Sequence, residues 1–196
     1  MGKKIAKKLI LLTVQILMVG MANAQQKHEF VDLGLPSGTL WATCNIGASS
    51  PEDNGDYFAW GEIEPGSLDP NTFSNYPKKL PAANDAATHN WGSDWCTPTC
   101  EQFCELLNNS NCSWTWTGKG YNVKSNNNGK SIFFPAAGRK LLISIDGDGE
   151  TGSYWSSSYS EDNPWSLFFD TDYYDTVKLL TSSLNLCSVR PVRCKK

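Results

Sequence analysis

Apolar and polar positions along this chain alternate in short stretches separated by turn residues. Phe30 to Leu35 alternates as a strand, Pro36-Ser37-Gly38 is a turn, and Thr39 to Asn45 reads as the returning strand of a hairpin. Tyr57 to Trp60 predicts a further short strand. Six more are expected at Ser113 to Thr117, Ser131 to Pro135, Tyr154 to Ser157, Trp165 to Phe169, Thr176 to Leu180 and Cys187 to Val192. One segment has helical spacing instead. Cys100, Phe103, Cys104, Leu106 and Leu107 form a broad apolar face, Thr99 with Gln102 makes a capping box, and Asn108-Asn109 ends the run. Residues 63–88 carry Pro65, Pro70, Pro77 and Pro81 and show no period, so they read as a long loop. One helix beside many short antiparallel strands predicts an α+β fold.

The N-terminus changes what must be folded. Lys3, Lys4, Lys7 and Lys8 precede a run from Leu9 to Met21 that is apolar apart from Thr13 and Gln15, and Ala22-Asn23-Ala24 follows. This is the layout of a secretory signal peptide cleaved after Ala24. An apolar run of about 13 residues is well short of the roughly 20 that span a bilayer. Residues 1–24 are therefore expected to be removed on export, with 25–29 a polar leader and 30–196 a single domain. Loss of those four lysines leaves 13 basic against 20 acidic residues, a net charge of −7. Such a surface repels nucleic acid and anionic lipid. No segment of the mature chain is apolar enough to span a membrane.

Short aromatic-glycine signatures recur in fixed order: VDLGLPSGTLWATCNIGA from Val31, GDYFAWGE from Gly55, NWGSDWCTPT from Asn90, NCSWTWT from Asn111, SIFFPAAG from Ser131, GSYWSSS from Gly152 and CSVRPVR from Cys187. Together they resemble the Fibrobacter succinogenes major paralogous domain, a family of exported Bacteroidetes proteins. The resemblance covers Val31 to Arg193. It implies a C-type-lectin-like fold in which Ser188 to Val192 returns beside Phe30 to Leu33 and Trp155 lies in a core strand. It implies no reaction. The chain departs from the family in having Cys96 where a basic residue is common, and in carrying Cys100 and Cys104.

Seven cysteines in an exported chain point to disulfides, and the odd count leaves one thiol over. Cys96, Cys100 and Cys104 are spaced by four, which matches neither the usual zinc nor the usual iron–sulfur pattern. Cys44 with Cys112 is one candidate pair. Cys100 or Cys104 with Cys194 would be similar to the long-range bridge of C-type lectins.

Asp146, Asp148 and Glu150 could gather oxygens around Ca²⁺, but a solvated turn between strands is the preferred reading. The neighbouring residues complete neither an EF-hand loop nor a lectin-type calcium loop. Trp114 and Trp116 share one strand face and are expected in the core. Trp165, Tyr173 and Tyr174 flank acidic turns and are expected at the surface, as the candidate ligand-binding residues. Arg190 and Arg193 read as ion pairs locking the termini, or alternatively as an anion clamp. His89 has no nucleophile motif near it.

These features favour a non-enzymatic exported module, without a cofactor, that binds a carbohydrate or protein through its loops. The loop from Pro65 to Asn84 and the turns at Asp146 to Gly152 and Asp170 to Asp175 are the expected surfaces. The alternatives are a cysteine–copper oxidase related to the formylglycine-generating enzymes, and a structural surface or pilus-type subunit.

Overall fold

The hairpin expected at the start of the domain forms. β1 (Phe30–Asp32) pairs antiparallel with β2 (Leu40–Ala42), and the turn closes where the Gly38 N–H donates to the Leu35 carbonyl at 2.8 Å. The computed structural model describes residues 28–67, 78–141, 144–161, 163–178 and 185–194. The expected signal peptide lies outside them. So do the middle of the loop from Pro65 to Asn84 and the end of the strand expected to reach Leu180.

In chain order the other strands begin with β3 (Trp95–Cys96), β4 (Cys112–Trp116), β5 (Gly120–Ser125), β6 (Ser131–Pro135), β7 (Ala137–Leu141) and β8 (Ser144–Asp148). β9 (Gly152–Tyr159), β10 (Pro164–Phe169), β11 (Tyr174–Lys178), β12 (Asn185–Leu186) and β13 (Val192–Arg193) complete them. They build three sheets: β1-β2-β13-β3, then β4-β5-β6, then β11-β10-β9-β7-β12 with β8 also on β7. With two short helices the architecture is α+β and mostly β.

Among the described residues two α-helices stand where one is expected. α1 (Ala86–Trp91) lies at the end of the proline-rich stretch, after a 3-10 turn at Ala82–Asn84. Its N-cap is the buried Asp85. That carboxylate accepts from the Ala87 and Thr88 amides and also from the amide and hydroxyl of Thr97. A six-residue helix is too short to show a period. It forms because its cap also ties the loop to the segment ahead of α2 (Cys100–Leu107). α2 follows its sequence closely. Thr99 accepts from the Gln102 amide, the Gln102 side chain accepts from the Thr99 amide, and Phe103 and Leu106 are buried.

The terminal strand corrects an expectation. β13 lies beside β2, with Val192 opposite Trp41, so β2 separates it from β1. Tyr57 to Trp60 is not a strand and contributes a single bridge, Phe58 to Cys187. β5, β7 and β8 were not expected, because their polar residues hide the pattern. β5 is nevertheless the central strand of its sheet, with Tyr121 and Val123 buried.

Two apolar clusters form the core. One joins the hairpin, α2 and the β4-β5-β6 sheet through Trp41, Phe103, Val123 and Phe134, and includes Tyr154 and Phe169. The other joins Phe58, Trp60, Trp91, Trp95 and Trp155. The indole N–H of Trp155 donates to the Phe58 carbonyl at 2.7 Å, as buried indoles require.

Between the clusters sits Arg190, fully buried. Its Nε donates to Asn45 Oδ1 at 2.8 Å, and its Nη1 donates to the carbonyls of Thr43 at 3.0 Å and Ala42 at 3.3 Å. The guanidinium carbon lies 4.9 Å from the centre of the Phe134 ring. Burial pushes the guanidinium down to about 10, so it stays charged at neutral pH. Asn45 also donates to the Asn54 carbonyl and to the Tyr154 oxygen, and the Tyr154 hydroxyl donates to the Pro135 carbonyl. Truncation by R190A removes three hydrogen bonds and leaves a cavity, and should cost roughly 3 kcal/mol or more. Urea unfolding of this variant at wild-type stability would show that the network is not structural.

β7 and β9 touch in parallel at Gly138 and Gly152, where the Gly138 N–H donates to the Thr151 carbonyl at 2.7 Å. A Cβ on Gly152 would lie 2.1 Å from the Phe169 ring. Gly152→Ala should therefore destabilise by about 1–3 kcal/mol through overpacking. Combining it with Phe169→Leu should recover part of that loss, and strictly additive losses in thermal unfolding would sink the steric account.

Candidate functional site

The aromatic residues divide between core and surface in a way that spacing alone does not reveal. On β4, Trp114 stacks on Tyr174 at 4.8 Å and on Phe134 at 5.9 Å between ring centres, and its indole N–H donates to the Leu106 carbonyl at 2.8 Å. Tyr174 is thus half-buried against Trp114, not the surface ring expected. Trp165 is also half-buried on β10. Tyr173 is the exposed one of the three, at 48%.

Tyr173 lies on a braced tip between β10 and β11. Asp170 Oδ1 accepts from the amides of Asp172 at 2.9 Å and Tyr173 at 2.8 Å, while the Asp170 amide donates to the Tyr173 carbonyl. The Tyr121 hydroxyl donates to the Thr171 carbonyl at 3.1 Å, anchoring the tip to β5. The Tyr173 hydroxyl in turn donates to Asp175 Oδ2 at 3.3 Å. The tip therefore presents one aromatic ring beside the exposed carboxylates of Asp172 and Asp175.

The acidic run at Asp146 to Glu150 does not fold as one turn. Asp146 and Asp148 are on β8, opposite Arg139 and Ala137. Both carboxylates have partners: Asp146 Oδ2 accepts from Arg139 Nη2 across the strand pair at 3.1 Å, and Asp148 Oδ1 from Nδ2 of Asn54, in a distant loop, at 2.8 Å. Glu150 alone is in the turn that follows, exposed. Among the described residues no three His, Cys, Asp or Glu side chains gather to hold a metal ion.

All seven cysteines are free thiols. Cys194 meets Cys96, and Cys100 meets Cys104, neither of which is an expected pair. Cys44 lies near Arg190, and Cys112, the first residue of β4, is buried in the core. Burial, and then the neighbouring Cys104, push the Cys100 thiol up to about 12; burial pushes Cys112 up to about 11. Both remain protonated at neutral pH, which disfavours thiolate chemistry.

Arg193 makes the ion pair expected of it, to Asp94 at 3.1 Å, and lies over the rings of Trp95 and the exposed Phe30. Among the described residues Arg190 makes none and uses carbonyls and an amide oxygen instead. His89 is exposed, 3.5 Å from Glu64. His28, in the expected leader, stacks on Trp91 at 3.7 Å, and burial lowers its pKa.

A shallow recess open to solvent is bordered by Trp60, Glu62, Leu80 and Asn84, with Trp155 among its lining, and its cavity volume is about 10 Å³. That is room for about one water molecule, far below the roughly 300–1,000 Å³ of pockets that enclose drug-sized ligands. Its residues come together through the 3-10 turn and α1, which have no sequence period. No helix among the described residues is long and apolar enough to cross a membrane. Comparisons of the chain with protein-family models, with curated proteins and with solved structures find no match.

Alkylation of the folded protein should label Cys104, the exposed thiol, well before the buried Cys112 and Cys187. Peptide mapping with equal rates at all three would contradict this packing.

Proposed function

We propose that the chain is an exported, non-enzymatic binding module of the Fibrobacter succinogenes major paralogous domain family. It takes a C-type-lectin-like fold and holds a neutral glycan at the β10–β11 tip. The observation that carries this reading is the exposed Tyr173 ring, held rigidly beside Asp172 and Asp175. A flat aromatic face covers the apolar face of a sugar ring, and adjacent carboxylates accept its hydroxyl hydrogens. The brace from Tyr121 limits the ordering cost on binding. The small size of the recess beside Trp60 favours stacking at a surface over enclosure.

The ordered signatures, and a terminal strand that joins the sheet of the N-terminal hairpin, support the family and its fold. The N-terminal sequence supports export to the periplasm or cell surface. A protein ligand at the same tip, or assembly into a surface fibre, is the competing reading. A cysteine–copper oxidase would depend on Cys100 and Cys104, and the raised Cys100 thiol weighs against it.

A glycan array should return neutral oligosaccharides, and Tyr173→Ala should weaken binding about tenfold or more with melting unchanged. An array without a binder, or a hit indifferent to Tyr173→Ala, would remove the glycan reading.

A further inference from the structure

We propose that Cys96 and Cys194 are a dithiol that an external disulfide converts into a cross-link between β3 and the end of the terminal strand. The sheet register supplies the geometry. Val192 is opposite Cys96, and Arg193 opposite Trp95. Side chains alternate along a strand, so Cys194 shares the face of Val192 and therefore of Cys96. Diagonal neighbours of this kind stand about 7–8 Å apart, against the roughly 4.4–6.8 Å between Cα atoms in disulfides. The gap is small, and both residues are at strand ends where the backbone can close it. Cys96 is the last residue of β3, and Cys194 directly follows β13.

Neighbouring contacts hold the two segments in this register. The Cys194 amide donates to the Asp94 carbonyl at 2.8 Å, and Arg193 pairs with Asp94 at 3.1 Å. The two thiols are already in hydrogen-bond contact, and both are partly accessible. The other contacting pair is less suited. Cys100 and Cys104 are one turn apart on the rigid α2, whose side chains run roughly parallel. Cys112 and Cys187 are buried.

The exchange proceeds in two displacements. Burial raises both thiols, so the exchange is slow at neutral pH and speeds up as the pH rises; Cys194 receives the Cys96 S–H and is the first nucleophile. Its thiolate attacks one sulfur of a low-molecular-weight disulfide, forms a mixed disulfide and expels the first thiolate. Cys96 then loses its proton to solvent and attacks Cys194 Sγ. The Cys96–Cys194 bond forms and the second thiolate leaves. The protein gives up two electrons and two protons, and the external disulfide is reduced to two thiols. The product closes nearly the whole second half of the chain into a loop and pins the last strand, whose retention holds Arg190 in the core.

The test uses the full chain in buffers of oxidised and reduced glutathione, quenched by alkylation. Cys96 and Cys194 should take up neither an alkyl group nor glutathione, proteolysis should release one cross-linked species containing Cys96 and Cys194 that is two hydrogen atoms lighter than the sum of its free peptides, and the melting temperature should rise by several degrees. Cys96→Ser should instead keep a glutathione adduct on Cys194. The proposal fails if wild-type Cys194 is alkylated in oxidising buffer, retains glutathione, or is found bridged to Cys100 or Cys104. The wild-type mapping decides this even if the variant does not fold.

Discussion

The constraint on which the rest of this structure depends is the burial of the Arg190 charge. A guanidinium out of water is costly, and the cost is offset here by fixed acceptors on Nε and Nη1 and by the Phe134 ring, while Nη2 has no hydrogen-bond partner among the described residues. Those acceptors come from distant parts of the chain: the carbonyls that follow β2, Asn45 behind them, and through Asn45 the loop at Asn54 and the hydroxyl of Tyr154 on β9. No carboxylate hydrogen-bonds to it among the described residues. The acceptors are mostly backbone, so the contact specifies where the chain runs and not merely which side chains are near. Satisfying it requires the terminal strand, the hairpin and the central β9 to be in place together.

The aromatic core is arranged around that junction. Phe134 receives the guanidinium on its face and passes the packing on to Trp41, Trp114 and Tyr154. Each such ring contact adds about 0.5–1.5 kcal/mol beyond the area it buries. The same rings then brace the periphery. Trp114 holds Tyr174 and Tyr121 holds Thr171, so the tip bearing Tyr173 is anchored from two sides. A loop fixed in this way can present an aromatic surface without a large ordering cost. The scaffold residues and the candidate binding residues are thus adjacent in sequence but opposite in role: Tyr174 faces in and Tyr173 faces out.

The cysteines follow the same division. Cys112 and Cys187 are small buried residues of the core, with thiols raised by desolvation. Cys104 is exposed on α2. Cys96 and Cys194 meet because β13 enters the sheet between β2 and β3, a topology that brings residues about a hundred positions apart into diagonal register. Loop closure of that length is entropically costly without a sheet to template it.

Much of this protein was written in local pattern. The hairpin at Phe30 to Asn45, the capping box of Thr99 and Gln102, and the strand at Ser131 to Pro135 each depend on residues within a few positions of one another. They form as their spacing predicts. The strands β5, β7 and β8 were hidden because polar residues there are accommodated by sheet neighbours, and α1 because its cap is completed by Thr97, outside the helix. Tyr173 and Tyr174 could not be told apart as a pair of adjacent tyrosines, since alternation says that they face opposite ways but not which way is inward. Acceptors for Arg190, the partner of Cys194 and the commitment of Asp146 to Arg139 were likewise decided only by tertiary structure. The physical reason is the same in each case. Period and capping act over one turn or one strand, whereas the direction of burial and the choice of a partner are settled by which distant segments exclude water together.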